Sequence, residues 1–325
     1  MPVTLGRAVT SLESIIVCPG DRSPLSPDDG SLRCAQGHVF PVRDGHPLLL
    51  LADERPTQEG YWAIGDEFWR DEPLEPRQPG SIDPYVLKVM VGTCGNLYRE
   101  LDRFTSYPIP ELRLPPGEGR SLLDVGSNWG RWTIAAARKG YRATGIDPAL
   151  GAVEAAYRVS AELGVEAEFV VGDGRHLPFP DASFDTVFSY GVLQHFSEED
   201  ALAAIRELGR VVRPGGTALL QMPGRYGLRN LQQQARRGFS PGKAFEVRYW
   251  SPRRLRLAFE EAIGPTRLEV DGFLTLNPQA TDVELMPPAW AALVRVSEGL
   301  RKASTVAPPI VHLADSVYVR AVRRA

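Results

Sequence analysis

From residue 120 onward, short apolar runs alternate with longer stretches in which apolar residues recur at helical spacing. The short runs predict strands at 121–125, 143–146, 169–171, 184–190 and 217–222, and the longer stretches predict helices at 131–139, 150–163 and 198–212. Strands that alternate with helices form a parallel sheet covered on both faces. The run 184–190 is apolar on both faces, as a central strand of such a sheet is. The pattern therefore predicts a doubly wound α/β fold.

The remaining parts of the chain have a different texture. After residue 223 the alternation loosens into an insertion of about 223–250, followed by a predicted helix at 252–263, strand at 267–270, helix at 289–303 and strand at 317–322. With the last two strands, we expect a Rossmann-like, mostly parallel sheet of seven strands. We divide the chain into a small N-terminal β module at 1–55, an aromatic-rich helical cap or linker at 56–118 and the α/β domain at 119–325.

Composition and charge are those of an ordinary soluble globular protein. The 325 residues are 43% hydrophobic and 24% charged with a net charge of −3, which argues against general coating of nucleic acid. No apolar run approaches the roughly 20 residues that span a bilayer. Three cysteines, Cys18, Cys34 and Cys94, give no disulfide framework, so we expect a reducing, cytoplasmic setting. We interpret Cys94 as an ordinary half-buried thiol.

A glycine-containing turn follows the first strand of the predicted α/β domain. Gly126 lets the backbone approach a ligand, and Gly130 allows the strand and the next helix to pack closely. Asp147 ends the second strand about twenty residues later, where a carboxylate suits a ribose diol, and Asp173 follows the third strand. Ligands bind at the carboxyl ends of strands in open α/β sheets, so these residues indicate one ligand site.

This succession, over about 120–223, resembles the class I S-adenosylmethionine-dependent methyltransferases of the type 11 kind. The resemblance implies S-adenosylmethionine as the cofactor, with Asp124 and Gly126 around its methionine part. It also implies Asp147 on the ribose hydroxyls and Asp173 at the adenine. The rest of the implied cofactor site is Ser127, Asn128, Trp129, Gly130, Pro148, Gly174, Tyr190 and Gln194. Asn128 departs from the family, which often has a glycine at this position.

Three other interpretations of these residues stay open. Asp147 and Asp173 could each only cap the turn that follows its strand. A dinucleotide-dependent oxidoreductase is the competing enzyme, but it needs Gly-x-Gly-x-x-Gly to hold a pyrophosphate, and this loop has only Gly-x-x-x-Gly. The chain could also be a catalytically silent methyltransferase-like scaffold, against which the intact set of aspartate and glycine positions argues.

His195 follows the fourth strand and is the candidate catalytic residue. Methyl transfer to a hydroxyl needs a general base, and an imidazole exchanges protons near neutral pH. Its alternative role is structural, as a side chain that packs or caps the helix beginning at about Glu198. The Asp/Asn-Pro-Pro-aromatic signature of amino methylation is absent after this strand, where Ser189-Tyr190-Gly191 stands. This absence argues against methylation of an adenine amino group, and with His195 as the candidate base we favour O-methylation.

The N-terminal module has cysteine and histidine at the spacing of a zinc knuckle. Cys18, Asp21, Cys34 and His38 follow the pattern C-x2-D-x12-C-x3-H, which offers four ligands for tetrahedral zinc. Residues 15–51 resemble the zinc-ribbon-like methyltransferase activator subunit and the zinc ribbon of ribosomal RNA guanine methyltransferases. Asp21 stands where those modules have a cysteine. A zinc-bound module and a degenerate, metal-free one are both open.

The predicted insertion and the helix after it are strongly basic. Between residues 225 and 256 there are nine basic residues and one acidic residue, a net charge of +8 that leaves −11 on the rest of the chain. Arg225, Arg229, Arg236 and Arg237 are the candidate substrate-binding residues. We predict an anionic small-molecule or glycan acceptor, with RNA as the runner-up and a solvated helix face as the plain alternative. Residues 225–325 are also similar to methyltransferases of bacterial surface-polysaccharide clusters.

Overall fold

A computed structural model describes residues 15–51, 82–93, 106–243, 245–274, 281, 283 and 286–325. The strands are β1 (Leu25–Asp28), β2 (Ser31–Cys34), β3 (Val39–Arg43), β4 (His46–Leu49), β5 (Ser121–Val125), β6 (Arg142–Asp147), β7 (Glu168–Gly172), β8 (Phe184–Tyr190), β9 (Val212–Pro223), β10 (Thr266–Gly272) and β11 (Ser316–Val322). The α-helices are α1 (Pro84–Thr93), α2 (Arg131–Arg138), α3 (Leu150–Glu162), α4 (Glu198–Val211), α5 (Leu228–Arg236), α6 (Pro252–Ala262) and α7 (Pro288–Ser304). Short 3₁₀ segments cover Leu193–His195 and Pro308–Leu313.

The sheet contains the predicted seven-stranded Rossmann-like arrangement. Strand order across this part is β7-β6-β5-β8-β9-β11-β10. The pairs from β7 to β9 are parallel, and β11 runs antiparallel to both β9 and β10. The predicted fold class is confirmed. The chain continues from β5 to β6 on one side of the sheet and from β8 to β9 on the other side. The strand order therefore reverses between β5 and β8, and such folds bind ligands at the carboxyl ends of the strands at this point.

The four N-terminal strands extend this same sheet. β1 to β4 pair antiparallel in succession, and β4 then pairs parallel with β7, with Leu48 opposite Val171 and Leu49 opposite Gly172. The backbone N–H of Val17 also donates to the carbonyl of Pro178 at 2.9 Å. The N-terminal module is therefore joined to the α/β domain along its β7 edge.

Successive residues of the central strands point to opposite layers of helices, as the pleat requires. Leu122 of β5 packs in a core with Trp132 of α2, while Leu123 packs in a core with Leu208 of α4 and Phe259 of α6. Within the described ranges, no helix combines the length and apolar character needed to cross a bilayer.

Element bounds predicted from the sequence agree closely, with two differences. β9 begins at Val212 rather than 217, because Val212 already pairs with Phe184 of β8. The residues Pro214–Gly216 then form an irregularity in the pairing before Thr217 pairs with Thr186. α5 lies in the insertion, where no helix was expected. Within the predicted helical cap or linker, α1 spans Pro84–Thr93, whereas Cys94 and residues 52–81 fall outside the described residues.

Candidate functional site

A cavity opens at the carboxyl ends of β5, β6, β7 and β8, where the sequence predicts a ligand site. Nine of the twelve predicted cofactor residues and His195 line it; the nine are Gly126, Ser127, Asn128, Trp129, Asp147, Pro148, Asp173, Gly174 and Tyr190. Asp124, Gly130 and Gln194 are not part of its wall. The structure thus brings together most of a set that spans more than sixty residues of sequence.

The loop after β5 turns sharply because three of its residues have positive φ. Gly126 has φ 77°, and a Cβ there would overlap the side chain of Val192 across the cavity. The N–H groups of Gly126 and Ser127 both donate to the carbonyl of Ile146, at 2.8 and 3.0 Å. Asn128 has φ 48° in the left-handed region, which asparagine tolerates better than most residues. The replacement of the family's glycine by Asn128 therefore leaves the loop conformation intact.

Gly130 acts behind the loop rather than in the cavity. It has φ 85°, and a Cβ there would lie 2.8 Å from the ring of Phe169. Its predicted role in close strand–helix packing fits this position, whereas its predicted place in the cofactor site does not.

Asp147 faces the cavity and also holds the loop. Its Oδ2 accepts the N–H of Asn128 at 2.9 Å, and its Oδ1 accepts the N–H of Ala149 at 3.0 Å. The side chain is buried. Each carboxylate oxygen has two lone pairs, so capping of the turn and acceptance of a ligand hydroxyl are compatible.

Asp173 is held by a buried arginine. Arg175 donates to its Oδ2 through Nη2 at 2.7 Å and to its Oδ1 through the backbone N–H at 2.8 Å. The same guanidinium donates to Asp200 at 3.0 Å. These contacts fix the orientation of the Asp173 carboxylate at the cavity wall and compensate its charge.

Asp124 lies beneath the loop instead of in the cavity wall. It is 1% exposed and accepts a hydrogen bond from Thr133 Oγ1 at 2.7 Å. Burial raises the pKa of Asp124 to about 7, against the opposing effect of that hydrogen bond. Its contact with the start of α2 places it behind the cavity wall, and its predicted place around the cofactor stays a prediction.

His195 lines the same cavity. Its Nδ1 lies 2.7 Å from the carbonyl oxygen of Phe245, so this nitrogen carries the proton and donates. Its Nε2 lies 3.1 Å from Gln194 Nε2, whose N–H donates to it. The imidazole stacks on the Phe245 ring at 4.0 Å, and burial lowers the pKa of His195 to about 4. Gln194 therefore acts on the histidine and not on the cavity.

The sequence did not indicate several lining residues. Arg131, the first residue of α2, is buried and donates through Nε to the carbonyl of Pro108 at 2.6 Å. Trp132 packs against Tyr190 at 4.5 Å between ring centroids. Phe245 comes from the insertion, fifty residues after His195. Arg131 and Trp132 directly follow Gly130, so proximity to the glycine loop was the available signal; nothing in the sequence points to Phe245.

Tyr190 is anchored at the cavity wall by a buried polar network. Its hydroxyl donates to Asp271 Oδ2 at 2.7 Å, and Asp271 also accepts hydrogen bonds from Arg113 and Ser316. Burial raises the pKa of Tyr190 well above its ordinary value. The phenol is thus a neutral, fixed surface for a ligand and a poor proton acceptor.

None of the four predicted substrate arginines lines the described cavity. Arg237 donates to the carbonyl of Val247 at 3.0 Å and lies over the Tyr249 ring at 5.4 Å, which ties the insertion together. Arg229, the second residue of α5, is half-buried. Arg225 and Arg236 are exposed. The structure therefore does not place these four side chains in contact with the cavity.

The four predicted metal ligands do come together. His38 Nδ1 lies 3.4 Å from Cys18 Sγ, 3.3 Å from Cys34 Sγ and 3.4 Å from Asp21 Oδ2. Cys34 Sγ lies 3.2 Å from Asp21 Oδ2, and all four ligand atoms fall within 4.8 Å of one another. Bonds of about 2.0–2.3 Å to a tetrahedral zinc place ligand atoms roughly 3.3–3.8 Å apart, so the cluster has nearly the required size.

Comparison with known proteins identifies the α/β domain. Residues 122–216 match the family model described as a methyltransferase domain. Residues 122–216 therefore form a methyltransferase domain. The segment matched by this methyltransferase domain contains Asp124, Asp147, Asp173 and His195, whereas the N-terminal module and α5 lie outside it.

Curated relatives of the methyltransferase domain act on varied acceptors. The chain is 27% identical to ajmaline N-methyltransferase of Rauvolfia serpentina over 52% of this chain and 58% of that protein. It is 33% identical to demethylmenaquinone methyltransferase of Corynebacterium kroppenstedtii over 39% of this chain and 49% of that protein. The chain thus spans about half the length of these curated relatives. The YcgJ protein structure from Bacillus subtilis aligns over 74% of this chain and 98% of that one, at 18% identity and a TM-score of 0.44.

Proposed function

We propose that this protein transfers a methyl group from S-adenosylmethionine to an oxygen of a small acceptor. The observation that carries the proposal is one cavity lined by Asp147, Asp173 and His195. The match to a methyltransferase domain supports the donor. O-methylation is supported by His195, because transfer to a hydroxyl calls for a proton acceptor.

The cavity fits the cofactor at several points. Ser127 Oγ is buried without a hydrogen-bond partner, and the same residue lines the cavity, so a polar ligand atom there would satisfy it. Asp147 would take the ribose hydroxyls, and Asp173 would meet the adenine amino group. Arg131 is a buried cation in the wall and would pair with the methionine carboxylate.

S-adenosylmethionine supplies a methyl group already activated on a positively charged sulfonium. The chain's own part is to align the acceptor for in-line displacement, which the rigid Trp132 and Tyr190 wall favours. His195 is in the correct protonation state to take the acceptor proton at Nε2 at neutral pH. Gln194 must turn away from Nε2 for this transfer, because its N–H occupies that lone pair.

For the acceptor we propose an anionic, sugar-like molecule that enters past the insertion. The support is the position of Phe245, which lines the cavity between the basic residues Lys243 and Arg248. Arg248 donates to the carbonyl of His195 at 2.5 Å, so the basic stretch reaches the mouth beside the candidate base. Arg225 and Arg236, being exposed, would act at a distance through their field. RNA remains the second candidate, favoured by the net charge of +8 between residues 225 and 256.

Calorimetry and methyl transfer test the proposal together. S-adenosylmethionine should bind, and Asp147→Asn should weaken binding by roughly 5- to 150-fold, equivalent to about 1–3 kcal/mol for the lost charged hydrogen bonds. Radiolabelled methyl transfer to nucleotide sugars, glycans and RNA then identifies the acceptor class. Absence of binding would refute the assignment, whereas binding with no transfer to any panel member would favour the silent scaffold.

We also propose that Cys18, Asp21, Cys34 and His38 bind zinc as a structural ion. Besides the ligand spacing, the support is the orientation of Asp21: its Oδ1 accepts the N–H and hydroxyl of Ser23 at 2.8 and 2.6 Å, which directs Oδ2 towards the cluster. Zinc would supply a fixed cross-link between the two cysteine-bearing turns. Elemental analysis of protein prepared without chelator should give one zinc per chain; a metal-free, fully folded protein would end this proposal.

A further inference from the structure

Helix α5 buries polar side chains and exposes apolar ones. Asn230 and Gln234 are 1% and 6% exposed, although both are amides. Leu228 and Leu231 are instead 69% and 38% exposed. The flanking aromatic residues Tyr226 and Phe239 are also exposed, at 44% and 64%. Residues three apart share one face of a helix, so Leu228 and Leu231 form an exposed apolar face on α5, and Tyr226 and Phe239 are exposed in the segments that precede and follow the helix.

Hydrogen bonds impose this inverted orientation. Asn230 Nδ2 donates to the carbonyls of Gly224 and Asp315 at 2.8 and 2.6 Å, and Gln234 Nε2 donates to the carbonyl of Arg225 at 2.7 Å. The N–H groups of Arg229 and Asn230 donate to Asp315 Oδ1 at 2.9 and 3.1 Å. Rotation of α5 to bury its leucines would leave these buried polar groups without hydrogen-bond partners. The apolar face is therefore held outward.

The borders of the face are positively charged. From Arg225 to Lys243 the sequence has arginines at 225, 229, 236 and 237 and no aspartate or glutamate. Arg225 and Arg236 are exposed beside the face, while Arg237 is engaged with Val247 and Tyr249. A helix with large apolar side chains on one face and arginines along its edges is typical of segments that lie in a membrane interface.

We propose that the α5 face, defined by Tyr226, Leu228, Leu231 and Phe239, docks on an anionic lipid surface. Lipid acyl chains would cover the apolar side chains while phosphate headgroups meet the arginines. Two other occupants fit less well. A second copy in a symmetric contact would bring the same arginines together. RNA would meet the arginines but would leave the leucines without an apolar environment.

Docking through α5 would also place the cavity mouth near the lipid surface. Arg237, at the end of α5, donates to Val247, and Phe245 two residues earlier lines the cavity. An acceptor carried by a lipid would thus reach the candidate base without leaving the surface. This consequence rests on the proposed function, whereas the docking itself needs no methyl transfer.

Vesicle sedimentation of the full chain tests the docking. The protein should sediment with vesicles of phosphatidylglycerol and phosphatidylcholine in equal parts, more weakly with phosphatidylcholine alone, and less as salt increases. The double variant Leu228→Gln/Leu231→Gln should lower the partition constant at least about tenfold, because glutamine keeps the helix but loses the apolar surface. The matched control is Leu257→Gln on α6, which removes a leucine 44% exposed outside the α5 face and should bind as the parent does.

Thermal unfolding and S-adenosylmethionine affinity of each variant separate loss of docking from loss of folding. The proposal is overturned if the parent protein does not sediment with the anionic vesicles, or if the double variant sediments equally well. A concentration-dependent dimer that the double variant loses, without vesicle binding by the parent, would instead assign the face to a second copy.

Discussion

Two buried groups of the methyltransferase domain should make its stability respond to acid in opposite directions. His195 has its pKa lowered by burial from 6.5 to about 4, and Asp124 has its pKa raised by burial from 3.8 to about 7. Below pH 6.5 the unfolded chain protonates the histidine before the folded one does, so acid removes stability. Below pH 7 the folded chain protonates Asp124 before the unfolded one does, so acid adds stability.

The magnitudes follow from about 1.36 kcal/mol per pH unit for each group. Between pH 7.5 and pH 5, the histidine contribution falls over about 1.5 units, a loss of about 2 kcal/mol, and the aspartate contribution rises over about 2 units, a gain of nearly 3 kcal/mol. In the parent protein the two nearly cancel. Each single variant removes one of them and exposes the other.

Urea unfolding of His195→Gln and Asp124→Asn at both pH values measures the effect. On going from pH 7.5 to pH 5, the free energy of unfolding of His195→Gln should gain about 2 kcal/mol relative to the parent, and that of Asp124→Asn should lose nearly 3 kcal/mol. His312→Gln, which removes an exposed histidine, is the control and should follow the parent. Variants that all follow the parent would show that neither group changes its protonation on folding, and the neutral state of His195 would lose its basis.

Three further results are expected. The turnover number for methyl transfer should stay constant from pH 8 to pH 6, because His195 is already deprotonated with a pKa of about 4; a fall with an apparent pKa near 6.5 would point to a different base. Gly126→Ala should abolish measurable cofactor binding, because its Cβ overlaps Val192, whereas Gly215→Ala, also at positive φ but with open space around it, should cost only about 1 kcal/mol of stability and bind normally. Chelator treatment should lower the melting temperature of the parent, and Asp21→Cys should resist it because a thiolate binds zinc more tightly than a carboxylate does; equal sensitivity would contradict a role of Asp21 as a ligand.

The strands and helices whose apolar residues recur at regular spacing could be predicted from the sequence. Phe184–Tyr190 was predicted and found with the same bounds, because a run that is apolar on both faces has few other structures open to it. α5 was not predicted, because its sequence lacks apolar residues at the positions that the helix buries. Its buried face carries Asn230 and Gln234, so the usual relation between apolar positions and burial is inverted there.

The sequence predicts which residues lie near the cavity, but not which of them point into it. Motif spacing gives the strand end at which a residue lies, and the pleat then sends neighbours in opposite directions. Asp124 and Val125 are adjacent, yet Val125 lines the cavity and Asp124 lies beneath the loop. His195 and Gln194, which are neighbours in a 3₁₀ segment rather than a strand, also differ, because His195 lines the cavity and Gln194 does not. Phe245 reaches the cavity only through tertiary structure, which local sequence does not encode.

The pairing of β4 with β7 links two sites that are separate in sequence. A strand at the edge of a sheet has unpaired backbone groups, and β4 covers those of β7 with Leu49 opposite Gly172. Gly172 directly precedes Asp173, whose carboxylate faces the cavity. Cys34 lies on β2, so a ligand bound at Cys18 and Cys34 would act on turns that are joined to β7 through β3 and β4. The N-terminal module is thus placed to support the geometry of that wall, even though none of its residues is among those lining the described cavity.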